Sequence, residues 1–471
     1  MSKKTVGRRD FLKATALGGG AIVFSACAAP AATEAPAVAA PAATAAPIII
    51  KETVVVPVTA AAPPPLEANL IWDTFRGVGT GWNEERVSSF QASHPGVTIE
   101  FRPLVAGGQQ DNYGKMYALK AAGDLGDIIA FDPSHYQFER AISKGVIGPI
   151  GDLVAGDGLD LKAWFEQFIT IQSFKGILYG LPSWGWAGQD GFAINTVHFE
   201  EKGIAVPDPM GHDTSMATIA EWAQTFRDEA AGRWGLNINN GEGFLVCLLR
   251  AFNGDLISAD GTKSLLMEKE SVEALKWIYE LKVSKRLVPH GEELGAASGE
   301  AHKAGKLTIE QAGSLTVRTL KKDAKDPAVD VVSQVLLPAR KDGKFACQIR
   351  GGTWNINAES KAPEAAFQFI KHITNTEGSF GFNLVGGQGA LVRPDTVKLL
   401  IQNNPVHEWF IPNLENGIPA YGPANFRGSE YNDAINQWSS LLFDPTQPVE
   451  FEKGLQDLHD NLQLMLDTPE A

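Results

Sequence analysis

Beyond residue 66 the spacing of hydrophobic positions switches back and forth between the periods of strands and helices. Leu70-Ile71-Trp72 reads as a short strand followed by a glycine-rich loop. Val87 and Phe90 then mark a helix that stops at His94-Pro95-Gly96, since proline cannot continue it. Val97, Ile99 and Phe101 alternate with polar residues, the period of a strand with one buried face. Tyr113, Met116, Tyr117 and Lys120 share one face of a further helix. After Gly123 the stretch from Asp127 to Phe131 has the apolar character of a strand covered on both sides. Strands alternating with helices in this way predict a parallel sheet.

Further along, Leu161, Trp164, Phe165 and Phe168 recur at helical spacing. So do Ile219, Trp222, Ala223 and Phe226, behind a Thr218-x-x-Glu221 capping box, and Leu245, Leu248, Leu249 and Phe252. Strands are expected at Phe192 to Ile194, Leu307 to Ile309, Val329 to Leu337 and Phe345 to Ile349. Two amphipathic helices close the chain, one carrying Tyr431, Ile435, Trp438 and Leu442, the other Phe451, Leu455, Leu458, Leu462 and Leu466. Such stripes are core positions and carry no function by themselves. No repeat of fixed period runs through the sequence.

The first residues read as an address. Arg8-Arg9-Asp10-Phe11-Leu12-Lys13 precedes an apolar stretch, Ala14 to Ala26, that is too short to span a bilayer and ends at Cys27. Paired arginines before Phe-Leu-Lys resemble a twin-arginine export signal, and Phe24-Ser25-Ala26-Cys27 resembles a lipobox whose cysteine receives lipid. Residues 28 to 65, dominated by Ala, Pro and Thr, bury too little to fold alone and suit a tether. The body from Leu66 onward, roughly 400 residues, is long enough for two lobes with separate cores. A formal charge of -14 argues against nucleic acid and anionic membrane as partners, leaving lipid on Cys27 as the expected membrane contact. Cys247 and Cys347 are expected as buried small hydrophobes rather than a disulfide, and they show no metal-ligand spacing.

Several segments, in order, resemble the extracellular solute-binding proteins of the sugar type, the family that includes maltose-binding protein. Phe90 to Ile99 is similar to the family's opening F-x-x-x-x-P-G-[IV]-x-[IV] segment. Ala122 to Ile129 is similar to its A-G-x-x-P-D-[IV]-[IV], with Gly126 in place of the proline. Ala141 to Leu153 resembles a hydrophobic turn of the family, and Gly176 to Pro182 with Phe192 to Asn195 resembles its G-x-x-Y-G-x-P hairpin. Gly351-Gly352-Thr353-Trp354 and Pro363 to Ile370 resemble its glycine-pair strand and the helix after it. The resemblance implies an α/β, two-lobed periplasmic-binding-protein fold with crossover hinge strands and a ligand cleft between the lobes. One lobe is expected to combine 66–182 with 329–374, the other 183–328 with 375–471. The implied function is capture of a small solute, of the carbohydrate class, by hinge closure and its delivery to the permease subunits of an ABC importer. A monomer held on the outer face of the cell membrane by its lipid, without cofactor or catalysis, is the expected form.

Gripping a sugar requires flat apolar faces for its C–H surfaces and hydrogen-bond forks for its hydroxyls. The loop Asp73 to Gly77 offers Phe75 as a face and Arg76 as a fork, against a plain reading as core phenylalanine and surface arginine. Asp132 stands at the carboxyl end of a parallel strand, where ligands tend to bind, and is equally placed to cap the helix that follows. Pro182 to Asp190 falls at the expected first crossover, and Trp184 and Trp186, two residues apart among glycines, break the helical core pattern; Asp190 is a further polar candidate. Further candidates are Ser314, Trp354 near the second crossover, and Phe426 and Arg427, whose turn matches by position an aromatic-bearing ligand segment of the family.

Two rival readings remain. Gly77-Val78-Gly79-Thr80-Gly81 between strand and helix, with Glu100 beyond, approximates a dinucleotide fingerprint and so an exported oxidoreductase, but its third glycine is one residue early. A non-catalytic surface lipoprotein would share the anchor and tether, yet would have no use for two tryptophans at a crossover. His407-Glu408 lacks the second histidine of a zinc-hydrolase helix, and no G-x-S-x-G elbow occurs.

Overall fold

The computed structural model describes residues 66–104, 109–133, 136–188, 191–312, 332–386, 391–403 and 405–469. Cys27 and the segments expected to form the export signal and the tether lie outside the described residues. Strand β1 (Ala68–Thr74), helix α1 (Trp82–Ser93) and strand β2 (Val97–Pro103) form the βαβ opening, with β1 and β2 parallel. Helix α1 ends where the His94-Pro95-Gly96 signal puts it, the His94 N–H bonding back to the Phe90 carbonyl. Helix α2 (Gln109–Ala121), strand β3 (Ile128–Ile129) and helix α3 (Phe138–Ser143) follow, β3 lying parallel to β1. The stripe from Leu161 to Phe168 is broken: Trp164 and Phe165 are extended, and the helix begins only afterwards, as α4 (Glu166–Ile171).

A small hairpin, β4 (Ser173–Phe174) and β5 (Ile177–Leu178), leads to β6 (Gly180–Gly188), which crosses to β7 (Gly191–Asn195). Then come α5 (Met216–Phe226), β8 (Trp234–Asn237), α6 (Glu242–Ala251), α7 (Lys269–Tyr279), β9 (Leu307–Ala312) and β10 (Val332–Leu336). The cap of α5 differs from the expected one. Ser215, extended and one residue before the helix, accepts from the Thr218 N–H at 3.1 Å, so Thr218 is the capped residue and not the cap. The last elements are β11 (Phe345–Ile356), α8 (Pro363–Ile373), α9 (Thr376–Gly386), β12 (Gly417–Pro419), α10 (Gly428–Leu442) and α11 (Phe451–Asp467).

Two sheets result, each with its own core. The first runs β12-β11-β3-β1-β2 with β6 paired to β11; the second runs β10-β7-β9-β8. Leu70, Trp72, Phe90, Ile128 and Phe369 fill the first core, and Phe192, Ile194, Leu236, Ile309 and Val335 the second. Leu455, Leu458, Leu462 and Leu466 of α11 lie buried in the second core, each burial stabilising by about 1.5–3 kcal/mol.

The lobe boundaries differ from the expected ones in two places. Strand β10, placed by sequence in the first lobe, pairs antiparallel with β7 from Val332↔Asn195 to Leu336↔Gly191 and belongs to the second sheet. The segment after residue 374, placed in the second lobe, stays with the first: Phe382, Leu391, Val392, Val397 and Leu400 join its core, and the chain leaves only after β12. A strand pattern shows that residues are buried but not in which of two cores. Cys247 is buried in the second core and Cys347 in the first, as expected of two small hydrophobes.

Candidate functional site

The crossover strand β6 pairs antiparallel with β11, setting Trp184 opposite Gly352, Gly185 opposite Gly351 and Trp186 opposite Arg350. Side chains alternate across a strand, so Trp184, Trp186, Gly352 and Arg350 share one face and Gly185 the other. Helix α4 covers the Gly185 face so closely that any side chain there would run into the Phe168 ring. The two indoles therefore occupy the face that the helix leaves free.

The ends of β1 and β3 meet this face. The Arg76 backbone is fixed at both ends, its N–H donating to Thr74 Oγ1 at 2.9 Å and its carbonyl accepting from Asn83 Nδ2 at 3.0 Å. Its guanidinium forms a buried ion pair with Asp132. Asp132 also accepts from the Tyr113 hydroxyl at 2.8 Å and from the Thr353 N–H at 3.3 Å. Helix α3 begins at Phe138 with Gln137 at the cap position, so Asp132 does not cap it. Burial pulls the Arg76 guanidinium down to about 10, which still leaves it charged at neutral pH, so the pair is electrically balanced. Phe75 stands edge-on to Tyr113 at 5.7 Å and lies 5.3 Å from the Arg76 guanidinium. Asp73, in the same loop, is bound instead by Arg102 and the Gly126 N–H, a structural role.

The pieces stack. The Arg76 guanidinium lies over the Trp184 ring at 4.7 Å, and Trp186 stacks on Trp184 at 4.7 Å with 16° between the planes. Trp184 is 7% exposed, whereas Trp186 keeps part of its surface. Gly352 is required here, because a side chain at that position would collide with the Trp184 indole nitrogen. Trp184 Nε1, Arg76 Nε and Ser183 Oγ are buried without hydrogen-bond partners among the described residues.

Phe75, Arg76, Asp132, Trp184 and Trp186 are thus brought together. Trp354 is not: it is 1% exposed and packs against Trp72 at 5.2 Å in the first core, leaving no surface for a ligand. That expectation is corrected. Phe426 meets Phe174 of the β4–β5 hairpin at 5.7 Å, and Arg427 donates to the Pro469 carbonyl at 2.8 Å. Asp190 and Ser314 lie outside the described residues. Tyr113 and Gly352 were missed as site residues. A tyrosine on a core stripe and a glycine in a strand carry no polar signal of their own.

The architecture is similar to that of known proteins. The sugar-binding protein MalE of Xanthomonas citri superposes with a TM-score of 0.69 at 15% identity, over 85% of this chain and 97% of that one. The ABC substrate-binding protein Lmo0181 of Listeria monocytogenes, solved with cycloalternan, gives a TM-score of 0.67 at 16% identity over 85% and 99%. UgpB of Mycobacterium tuberculosis, solved with glycerophosphocholine, gives a TM-score of 0.67 at 18% identity over 85% and 99%. At these identities the likeness is one of fold, and that fold is the two-lobed one. The bacterial extracellular solute-binding protein family matches residues 85–380, a span that takes in the second sheet, both strands of the tryptophan ladder and helix α8. With that family's pattern running through both lobes, the chain belongs to the bacterial extracellular solute-binding proteins, receptors that act outside the cytoplasm.

Proposed function

We propose that this chain is the carbohydrate receptor of an ABC importer, with the Trp184–Trp186 face of the β6–β11 ladder as its ligand wall. The observation that carries the reading is the stack of Arg76, Trp184 and Trp186 beside a neutralised Arg76–Asp132 pair. A pyranose offers a flat C–H face and a rim of hydroxyls. The partly open Trp186 ring suits the first, and the unpartnered Arg76 Nε and Trp184 Nε1 suit the second. A balanced ion pair favours a neutral ligand over a charged one.

Delivery follows from hinge closure: the lobes are joined by crossover strands, and ligand contacts stabilise the closed form over the open one. The anchor is lipid on Cys27, with residues 28 to 65 as the tether that holds the receptor near its permease. The likeness to receptors solved with sugars supports this class of ligand. A melting-temperature screen over neutral mono- and oligosaccharides, with glycerophosphocholine as a counter-ligand, tests it. A rise with a sugar is expected; a rise with glycerophosphocholine alone would reject the carbohydrate reading.

A further inference from the structure

One residue of the first lobe reaches into the second. Tyr136, in the loop between β3 and α3, takes a left-handed backbone conformation (φ 56°) that is uncommon for a residue with a side chain. Its ring packs in the second core, edge-on to Tyr431 of α10 at 5.7 Å. Gly428, the first residue of α10, makes room for it, since a side chain there would collide with the Tyr136 Cβ. Next to it, Gln137 donates to Ser429 Oγ at 3.0 Å, and Phe174 meets Phe426 just ahead of α10. Three contacts therefore join these first-lobe loops to α10 and the turn before it.

These contacts lie close to the tryptophan wall. Arg350 sits directly opposite Trp186 in the ladder, a neighbour at about 5 Å between Cβ atoms. Its guanidinium pairs with buried Glu242 at the start of α6. Burial raises the Tyr136 hydroxyl, and Glu242, Arg350 and Glu139 are the charged groups whose field acts on it. One ion pair thus separates the free indole from the plug. Arg350, Glu242 and Tyr136 thus follow one another from the Trp186 end of the ladder towards α10.

We propose that Tyr136 determines ligand length: it blocks the α10 end of the cleft, so that the site takes one or two sugar rings and excludes longer chains. The proposal rests on the carbohydrate reading above. Calorimetric titration of the full chain with matched one-, two- and four-ring members of the gluco-, manno-, galacto- and xylo-oligosaccharide series tests it. The wild type is expected to bind the short members of one series at least tenfold more tightly than the four-ring member. Tyr136→Ala should bring the four-ring member within about threefold of the short ones, and Tyr136→Phe, which keeps the ring, should preserve the discrimination. Gly428→Ala, which displaces the ring from the other side, should act as Tyr136→Ala does and serves if that variant does not fold. Equal affinity of the wild type for short and long members, or unchanged discrimination in the folded Ala variants, would overturn the length claim alone. Absence of binding by every sugar would overturn the carbohydrate reading, and this claim with it.

Discussion

The two ends of the β6–β11 ladder carry tryptophans in opposite circumstances. At the Gly180–Pro182 end, Trp354 is enclosed by the first core with Trp72 against it. At the Trp184–Trp186 end, a few residues along the same pair of strands, the indoles stack on each other under a guanidinium, and Trp186 keeps open surface. The bulge between Gly352 and Thr353 separates the two regimes. Residue type is therefore a poor guide to role here. What decides is what packs over each ring.

The strongest test of the contrast is Trp354→Ala, expected to cost ~3–5 kcal/mol of stability, visible as a lower melting temperature, since it empties a core site. A cost below about 1 kcal/mol would place Trp354 outside the core. Both lobes bury charged pairs, Arg76–Asp132 in the first and Arg250–Asp255 in the second, but the second also buries His302, which burial and the neighbouring His198 push down to about 4. Between about pH 6.5 and 4 the unfolded chain takes up a proton at this position that the folded one refuses. Stability worth about 3 kcal/mol, present above pH 6.5, is lost as the pH falls towards 4. Chemical denaturation of His302→Leu across that range should show a flatter pH dependence than the wild type; an equal slope would assign the acid sensitivity elsewhere. Gly352→Ala should displace the Trp184 indole and weaken ligand binding, while Gly343→Ala, on an exposed turn at positive φ, should cost only modest stability and leave binding intact. Smallest in energy is Cys27→Ala: folding and affinity should be unchanged, and only the membrane fraction should lose the protein.

Much of the fold was legible because it rests on local rules. The βαβ opening, the stop at His94-Pro95-Gly96 and the stripe of α11 each follow from spacing that only one element satisfies. The lobe membership of β10 and of the α9 region was not, since an apolar strand or helix fits either of two cores equally well and contacts across hundreds of residues decide. In the site, Trp184 and Trp186 stood out because their two-residue spacing among glycines contradicts a helical stripe. Trp354 misled because its cover, Trp72, comes from a strand almost three hundred residues earlier, a contact that no local pattern announces. Tyr136, Glu242 and Arg350 become notable only when the two lobes are seen together.

The claim that the Trp184–Trp186 face of the ladder is the ligand wall is tested most directly by Trp186→Ala, measured for affinity by calorimetry and for melting in the same sample. Overlap of a sugar face with the indole, on the order of 60–100 Å2 at ~25 cal/mol per Å2, is worth ~1.5–2.5 kcal/mol. The expected result is binding weakened by about tenfold to a hundredfold with nearly unchanged melting, because Trp186 is only partly buried. Near-normal affinity with a large fall in melting temperature would make Trp186 a core residue and contradict the assignment of this face.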